Sequence, residues 1–320
     1  MSTTIEAPLV AAPVEPVEAV PTDVFSRVIP FMYERHYWGE HRKESMTDVD
    51  VAADRLTPED QIKAKALMTL NKRMIESPEI NNIRLVDRRF GDFMRRVATP
   101  WRPSEFFVPV GLVQPVHVNA KKWIESRERL ADEATATFPQ RIAEMAEKDP
   151  LHDPDFYPTP EEFRAKFTAS YRFMDFGVPE LLRALSEHAF EEERAKMAEL
   201  GREAEHMIEQ HLAGSLLAIL THLKDLLAPR ANGRMPSLRD EALKPLLEFM
   251  ALVPMRDATN FTGLQNVVKQ LEQLQSGVTV DALRDDKQFR AVIATRMEEL
   301  AASVSDLVVD DAQRAIRLRK

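Results

Sequence analysis

Between Pro179 and Ala228 the chain contains no interior proline, and its apolar residues return every seven positions. A run of that length predicts one helix on the order of 75 Å at 1.5 Å per residue. Phe190, Met197, Leu200, Ala204 and Met207 hold one seven-residue register. Leu212, Leu216, Ile219, Leu223 and Leu226 hold another, displaced by four residues near Ile208. Spacing of this kind describes a coiled-coil seam with a stutter. Such a stripe needs other helices over it, from the same chain as a bundle or from a partner.

The neighbouring segments can supply those helices. Thr57-Pro58-Glu59-Asp60 places a capping hydroxyl, a proline at the first helical position and acids against the dipole, predicting a helix to about Glu76. Ser77-Pro78-Glu79 repeats the signal. Ile80, Ile83, Val86, Phe90, Phe93, Met94 and Val97 then form an apolar stripe at helical spacing. A third helix is expected from about Asn119 through Trp123, Leu130, Ala134 and Phe138, with Pro139 kinking or interrupting it. Thr159-Pro160-Glu161-Glu162 reads as a capping box. After the break PRANGRMPS come three shorter helices, near Leu238–Leu252, Thr259–Gln275 and Val280–Val308.

Two stretches depart from helical writing. Phe106 to Val118, FFVPVGLVQPVHV, is almost uncharged in a chain that is 30% charged. It is too short and too proline-broken to span a bilayer. SYRFMDFGV, Ser170 to Val178, alternates with strand period. Paired, 106–113 and 170–178 predict a small two-stranded sheet, with Pro109 at an edge or bulge because it lacks a ladder donor. The competing reading makes FFVPVGLV an apolar linker lying over the helices. The fold class expected is mainly α: an elongated helical bundle or coiled-coil hairpin with a two-stranded β element at one end. Its parts are an acidic Pro/Ala-rich tail (1–22), an aromatic N-terminal segment and loop (23–56), the long-helix bundle (57–228), a linker (229–237), a C-terminal helical subdomain (238–308) and a basic tail (309–320).

Composition narrows function by exclusion. With nine glycines and no GxxxxGK, GxGxxG, GxSxG or HExxH, the chain lacks the usual phosphate cradles, nucleophile elbows and zinc helices. The absence of cysteine removes thiolate chemistry and disulfides and fits a cytoplasmic setting. The N-terminus has neither the basic start nor the unbroken apolar run of a signal peptide. Glu203 and His206 make a single ExxH, whereas a di-iron bundle needs two. No catalytic residue, metal or cofactor is expected, and the reading is non-enzymatic.

Two surfaces remain. An aromatic and basic cluster, Tyr33, Arg35, His36, Tyr37, Trp38, His41, Arg42 and Lys43, has the composition of an interface hot spot or a stacking surface, against the simpler reading that this segment packs onto the bundle. With the apolar stretch, it makes an aromatic set, Phe31, Tyr33, Tyr37, Trp38, Phe106 and Phe107, the candidates for partner binding. A basic face runs from Lys63 to Arg102, with ten cations against four carboxylates in a chain of net charge −9. Within it, Arg84, Arg88, Arg89, Arg95 and Arg96 are the candidates for contacting nucleic-acid phosphates. The favoured reading has the same face meet the chain's own acidic helices or an acidic partner, since the rest of the chain supplies abundant acid.

Three segments carry a resemblance: FFVPV ahead of AKKWIESRERLADEATATFP, FTASYRFMDFGVP ahead of the longest helix, and VPMRDATNFTGLQNVVKQLEQLQSGVTVDALRDD. In this layout, over roughly Pro58 to Val308, the chain resembles a family of uncharacterised phage and plasmid proteins encoded beside MoxR-type AAA+ ATPases and von Willebrand A-domain proteins. The resemblance lends no catalytic residues. It implies a helper or scaffold of phage or mobile-element origin, working with such an ATPase pair. The expected function is therefore an interaction or adaptor protein that self-associates or docks a protein partner, with no membrane association. The alternative is a nucleic-acid-binding accessory protein using the 63–102 face.

Overall fold

The computed structural model describes residues 24–45, 69–148, 153–229, 234–275 and 277–308. The acidic tail, the predicted helix start at Thr57 and the basic tail lie outside these residues.

Most of the described chain is helical, around a sheet larger than the sequence predicts. A short helix, α1 (Val24–Arg27), leads into strand β1 (Val28–Arg35). Strands β4 (Thr99–Arg102), β5 (Glu105–Pro109) and β6 (Ala169–Phe173) complete a four-stranded antiparallel sheet in the order β4-β5-β1-β6. The expected pairing of 106–113 with 170–178 is corrected: β1 lies between them, placing Phe31 opposite Phe106 on one side and Phe173 on the other. The aromatic N-terminal segment is thus a central strand. Its Pro30 is tolerated because β1 is flanked on both sides only at Phe31 and Met32.

Both sheet faces are covered, which explains why FFVPV carries no charge. Phe31, Tyr33, Phe106 and Val108 join one core with Phe90, Met94 and Trp123. Val28 and Phe107 point the other way, into the core of the C-terminal helices. Pro109 closes β5, and after a 3-10 turn at Val110–Leu112 the chain enters a helix at Val113.

The first face is covered by α2 (Pro78–Val97) and α3 (Val113–Lys148). The Ser77 hydroxyl accepts from the Ile80 amide at 3.2 Å, as its capping role requires. Helix α3 begins six residues before the expected Asn119 and continues through Pro139. The lost backbone bond is outweighed by packing, because Phe138 beside it is buried against Phe163. Helix α4 (Pro160–Ala165) starts with the predicted capping box between Thr159 and Glu162.

The longest predicted helix is two helices, α5 (Glu180–Leu185) and α6 (Glu187–Leu227). Ser186 breaks the run, its hydroxyl accepting from the Ala189 amide at 3.2 Å. Further along come α7 (Lys244–Arg256), α8 (Thr262–Gln275), α9 (Val280–Asp285) and α10 (Lys287–Ser305). Asp286 caps α10 through the Phe289 amide at 2.9 Å, repeating the short helix, capped break and long helix of α5–α6. Helix α10 runs antiparallel to the C-terminal half of α6: Lys224 meets Glu298 at 3.2 Å, and Gln210 donates to the Leu307 carbonyl at 3.0 Å. Arg290 donates to the carbonyls of Leu226, Leu227 and Pro236, closing the C-terminal end of α6. The buried row on α6 is Ala204, Ile208, Leu212, Leu216, Leu220, Leu223 and Leu227, so the predicted Ile219 and Leu226 flank it rather than fill it. The row meets α10, α7, α1 and β4 in turn, not one partner helix.

A separate two-stranded sheet joins β2 (His41–Ser45) to β3 (Thr69–Arg73). The helix expected to reach Glu76 is corrected here. Thr69–Arg73 finds a strand partner in the polar segment after Trp38, and pairing overrides its helix propensity. No helix among the described residues is long and apolar enough to cross a membrane.

Candidate functional site

The aromatic set does not form an exposed surface. Phe31, Phe106 and Phe107 are buried in the sheet, as is the ring of Tyr33, and their assignment to partner binding is corrected. Each lies in a strand with helices over it, so its hydrophobicity is spent inside. Trp38 is half-buried, edge-on to Phe138 at 5.8 Å and to Phe163 at 5.6 Å. Tyr37 alone of the six stands out, 43% exposed.

The arginines stay outside, and the fold brings them to Tyr37. Arg35, at the end of β1, and Arg84, Arg88 and Arg95, on one stripe of α2, ring a cleft of about 290 Å³. Tyr33, Asp87 and Gly91 form its floor and Tyr37 a wall. Gly91 keeps the floor low, since a Cβ there would lie 3.6 Å from the Tyr33 hydroxyl and from Arg95 Nη1. The Arg84 guanidinium stands 5.6 Å from the Tyr37 ring centroid and forms a close ion pair with buried Glu40. Arg35 donates to the Tyr33 hydroxyl at 3.4 Å, and Arg95 pairs with exposed Asp92 at 2.5 Å. Arg88, Arg89 and Arg96 have no hydrogen-bond or ion-pair partner among the described residues. Arg89 and Arg96 lie on the next stripe of α2, outside the ring. Lys72 and Arg73 belong to β3, and Lys63 and Lys65 fall outside the described residues.

Beneath the cleft is a pair that sequence reasoning missed. Arg127 of α3 is 2% exposed; its Nε lies 2.8 Å from Asp87 Oδ1, which also accepts from the Trp123 indole at 2.9 Å. Arg127 also donates to the Thr168 carbonyl at 2.7 Å and the His36 carbonyl at 3.0 Å. It therefore ties both helices to the approaches of β6 and the end of β1. Burial pushes the Arg127 guanidinium down, and the Asp87 charge works against that shift. The available signal was the helical spacing of Trp123 and Arg127, a ring and a cation on one face. Its acidic partner, 40 residues away, is not visible from spacing.

Chemically, the cleft offers four guanidinium groups and two phenols around a recess whose one floor carboxylate, Asp87, pairs with buried Arg127 at 2.8 Å and more loosely with Arg35 at 3.9 Å. No lining residue pairs a nucleophile with a base. The arrangement suits holding an oxyanion, with a ring for stacking against whatever carries it. Comparisons with protein-family models, with curated proteins and with solved structures return no match for the chain.

Proposed function

We propose that the protein is a non-enzymatic binder of phosphate-bearing strands, holding single-stranded nucleic acid at the Arg35/Arg84/Arg88/Arg95 cleft. One observation carries this reading: residues from two distant segments converge so that unpaired and half-paired arginines surround an exposed tyrosine. A chain of net charge −9 has no global attraction for nucleic acid, so affinity has to come from this patch.

Fluorescence anisotropy with a labelled DNA or RNA oligonucleotide provides the test. For three or four phosphates, log Kobs against log salt should fall with a slope of about −2 to −3. Arg88→Glu together with Arg95→Glu should weaken binding by more than about tenfold, an effect of roughly 1.4 kcal/mol or more. Arg88 has no partner among the described residues and Arg95 pairs with exposed Asp92, so the folded state should tolerate the change. Binding that ignores salt, or survives the reversal, rules the reading out.

The adaptor reading retains support from a different place. On α5, Leu181 is 70% exposed and Leu185 76%, while Arg183 packs over Phe190 at 4.0 Å on α6. Two leucines one turn apart on a short helix suit a protein contact, with a second copy or with an ATPase partner of the kind the family resemblance implies. Light scattering across a concentration series is expected to show self-association that Leu181→Asp with Leu185→Asp abolishes. A monomer at every concentration rejects self-association through α5.

A further inference from the structure

Arg256, the last residue of α7, is 5% exposed, yet its Nη2 has no hydrogen-bond partner. No carboxylate among the described residues forms an ion pair with it. An arginine in a last helical turn normally extends its head into water or onto free carbonyls. This one turns inward. Its guanidinium lies 5.8 Å from the Phe249 ring centroid, a contact that compensates only part of the lost hydration.

The buried head faces a pocket of about 230 Å³ between α2, α6 and α7. Ile219, Phe249 and Leu252 give it apolar walls, Ser215 a hydroxyl, and Arg95 and Arg96 stand at its α2 side. Asp92 and Glu248 also line it, but Asp92 is taken by Arg95 and Glu248 is exposed. Arg256 keeps its charge beside all of them: burial lowers its pKa to about 10, far above neutrality. Its field is felt by His211, held at about 4 chiefly by burial and then by Arg256, with Nε2 3.3 Å from the Arg95 carbonyl oxygen. The inner end of the pocket is therefore cationic and the walls are apolar.

We infer that this pocket binds a small carboxylate with a compact apolar body, its anionic end on Arg256 and its body against Ile219, Phe249 and Leu252. An apolar cavity of about 150 Å³ accommodates benzene, so this volume admits one ring plus a short carboxylate arm. Inorganic phosphate, hydrated on every side, gains nothing from such walls. The site adjoins the nucleic-acid cleft through Arg95 but does not depend on it.

Titration calorimetry of the full chain with 3-phenylpropionate, its amide and inorganic phosphate tests the assignment. The carboxylate is expected to saturate one site, with the amide at least about tenfold weaker and phosphate weaker still. Arg256→Met should abolish that discrimination, and its thermal midpoint should equal or exceed the parent's because it deletes an uncompensated charge. Leu252→Trp keeps the arginine and fills the space, and should also abolish binding. Equal binding of acid and amide, preference for phosphate, or unchanged affinity in Arg256→Met would each overturn the assignment. Oligonucleotide binding should be unchanged in Arg256→Met, so failure at one site is distinguishable from failure at the other.

Discussion

Asp87→Ala should cost about 3–5 kcal/mol of stability, because it strands a guanidinium in the interior. Arg127 is 2% exposed and cannot reach water by rotating a side chain already fixed by the Thr168 and His36 carbonyls. The substitution also orphans the Trp123 indole donor, bonded to Asp87 at 2.9 Å. Arg127→Met removes the other half of the pair and leaves a buried carboxylate, so it should be similarly severe. The double variant Asp87→Ala/Arg127→Met leaves neither charge exposed to the interior. It should be less destabilised than the two single changes added together by more than about 2 kcal/mol. Urea unfolding of the four proteins measures the cycle. Single-variant losses under about 1 kcal/mol would mean that water reaches the pair, and that the floor of the cleft is not built on it.

What the sequence exposed and what it hid follow from the range of the interactions involved. Ser77, Thr159 and the helices they start were legible because capping is a matter of three or four adjacent residues. The strand character of 106–113 and 170–178 was legible in part for the same reason, although the strands end at Pro109 and Phe173. That β1 lies between them was not, since FSRVIPFMYER carries no local mark of its neighbours and includes a proline. Without β1 as a central strand, Phe31 and Tyr33 stood as candidates for a surface when they are core. The arginine stripe on α2 survived because helical periodicity alone sets it. Its meeting with Arg35 and Tyr37 was beyond the sequence, although both residues were already conspicuous in an aromatic and basic cluster. Arg256 had no signal, since a cation ending a helix is ordinary until its burial is known.

Phe138→Ala is expected to lose about 3–5 kcal/mol, toward the upper part of the range for a buried ring. Phe138 stacks on Phe163 at 3.9 Å and 13°, and meets Trp38 edge-on at 5.8 Å. Those three rings come from α3, α4 and the segment after β1, so the space left by truncation borders three separately anchored elements. Pro139 follows immediately and restricts the α3 backbone, which limits how far the helix can shift into the void. Tyr37 is covalently next to Trp38, so loosening the indole should also loosen the exposed wall of the cleft. Oligonucleotide affinity should then fall several-fold at temperatures where the variant is still folded, with no change in charge. Denaturant unfolding should show a lower midpoint with an unchanged slope, as expected for a cavity in an otherwise intact fold. A loss below about 1 kcal/mol would show that the ring cluster closes over the gap, and would detach the position of Tyr37 from the core beneath it.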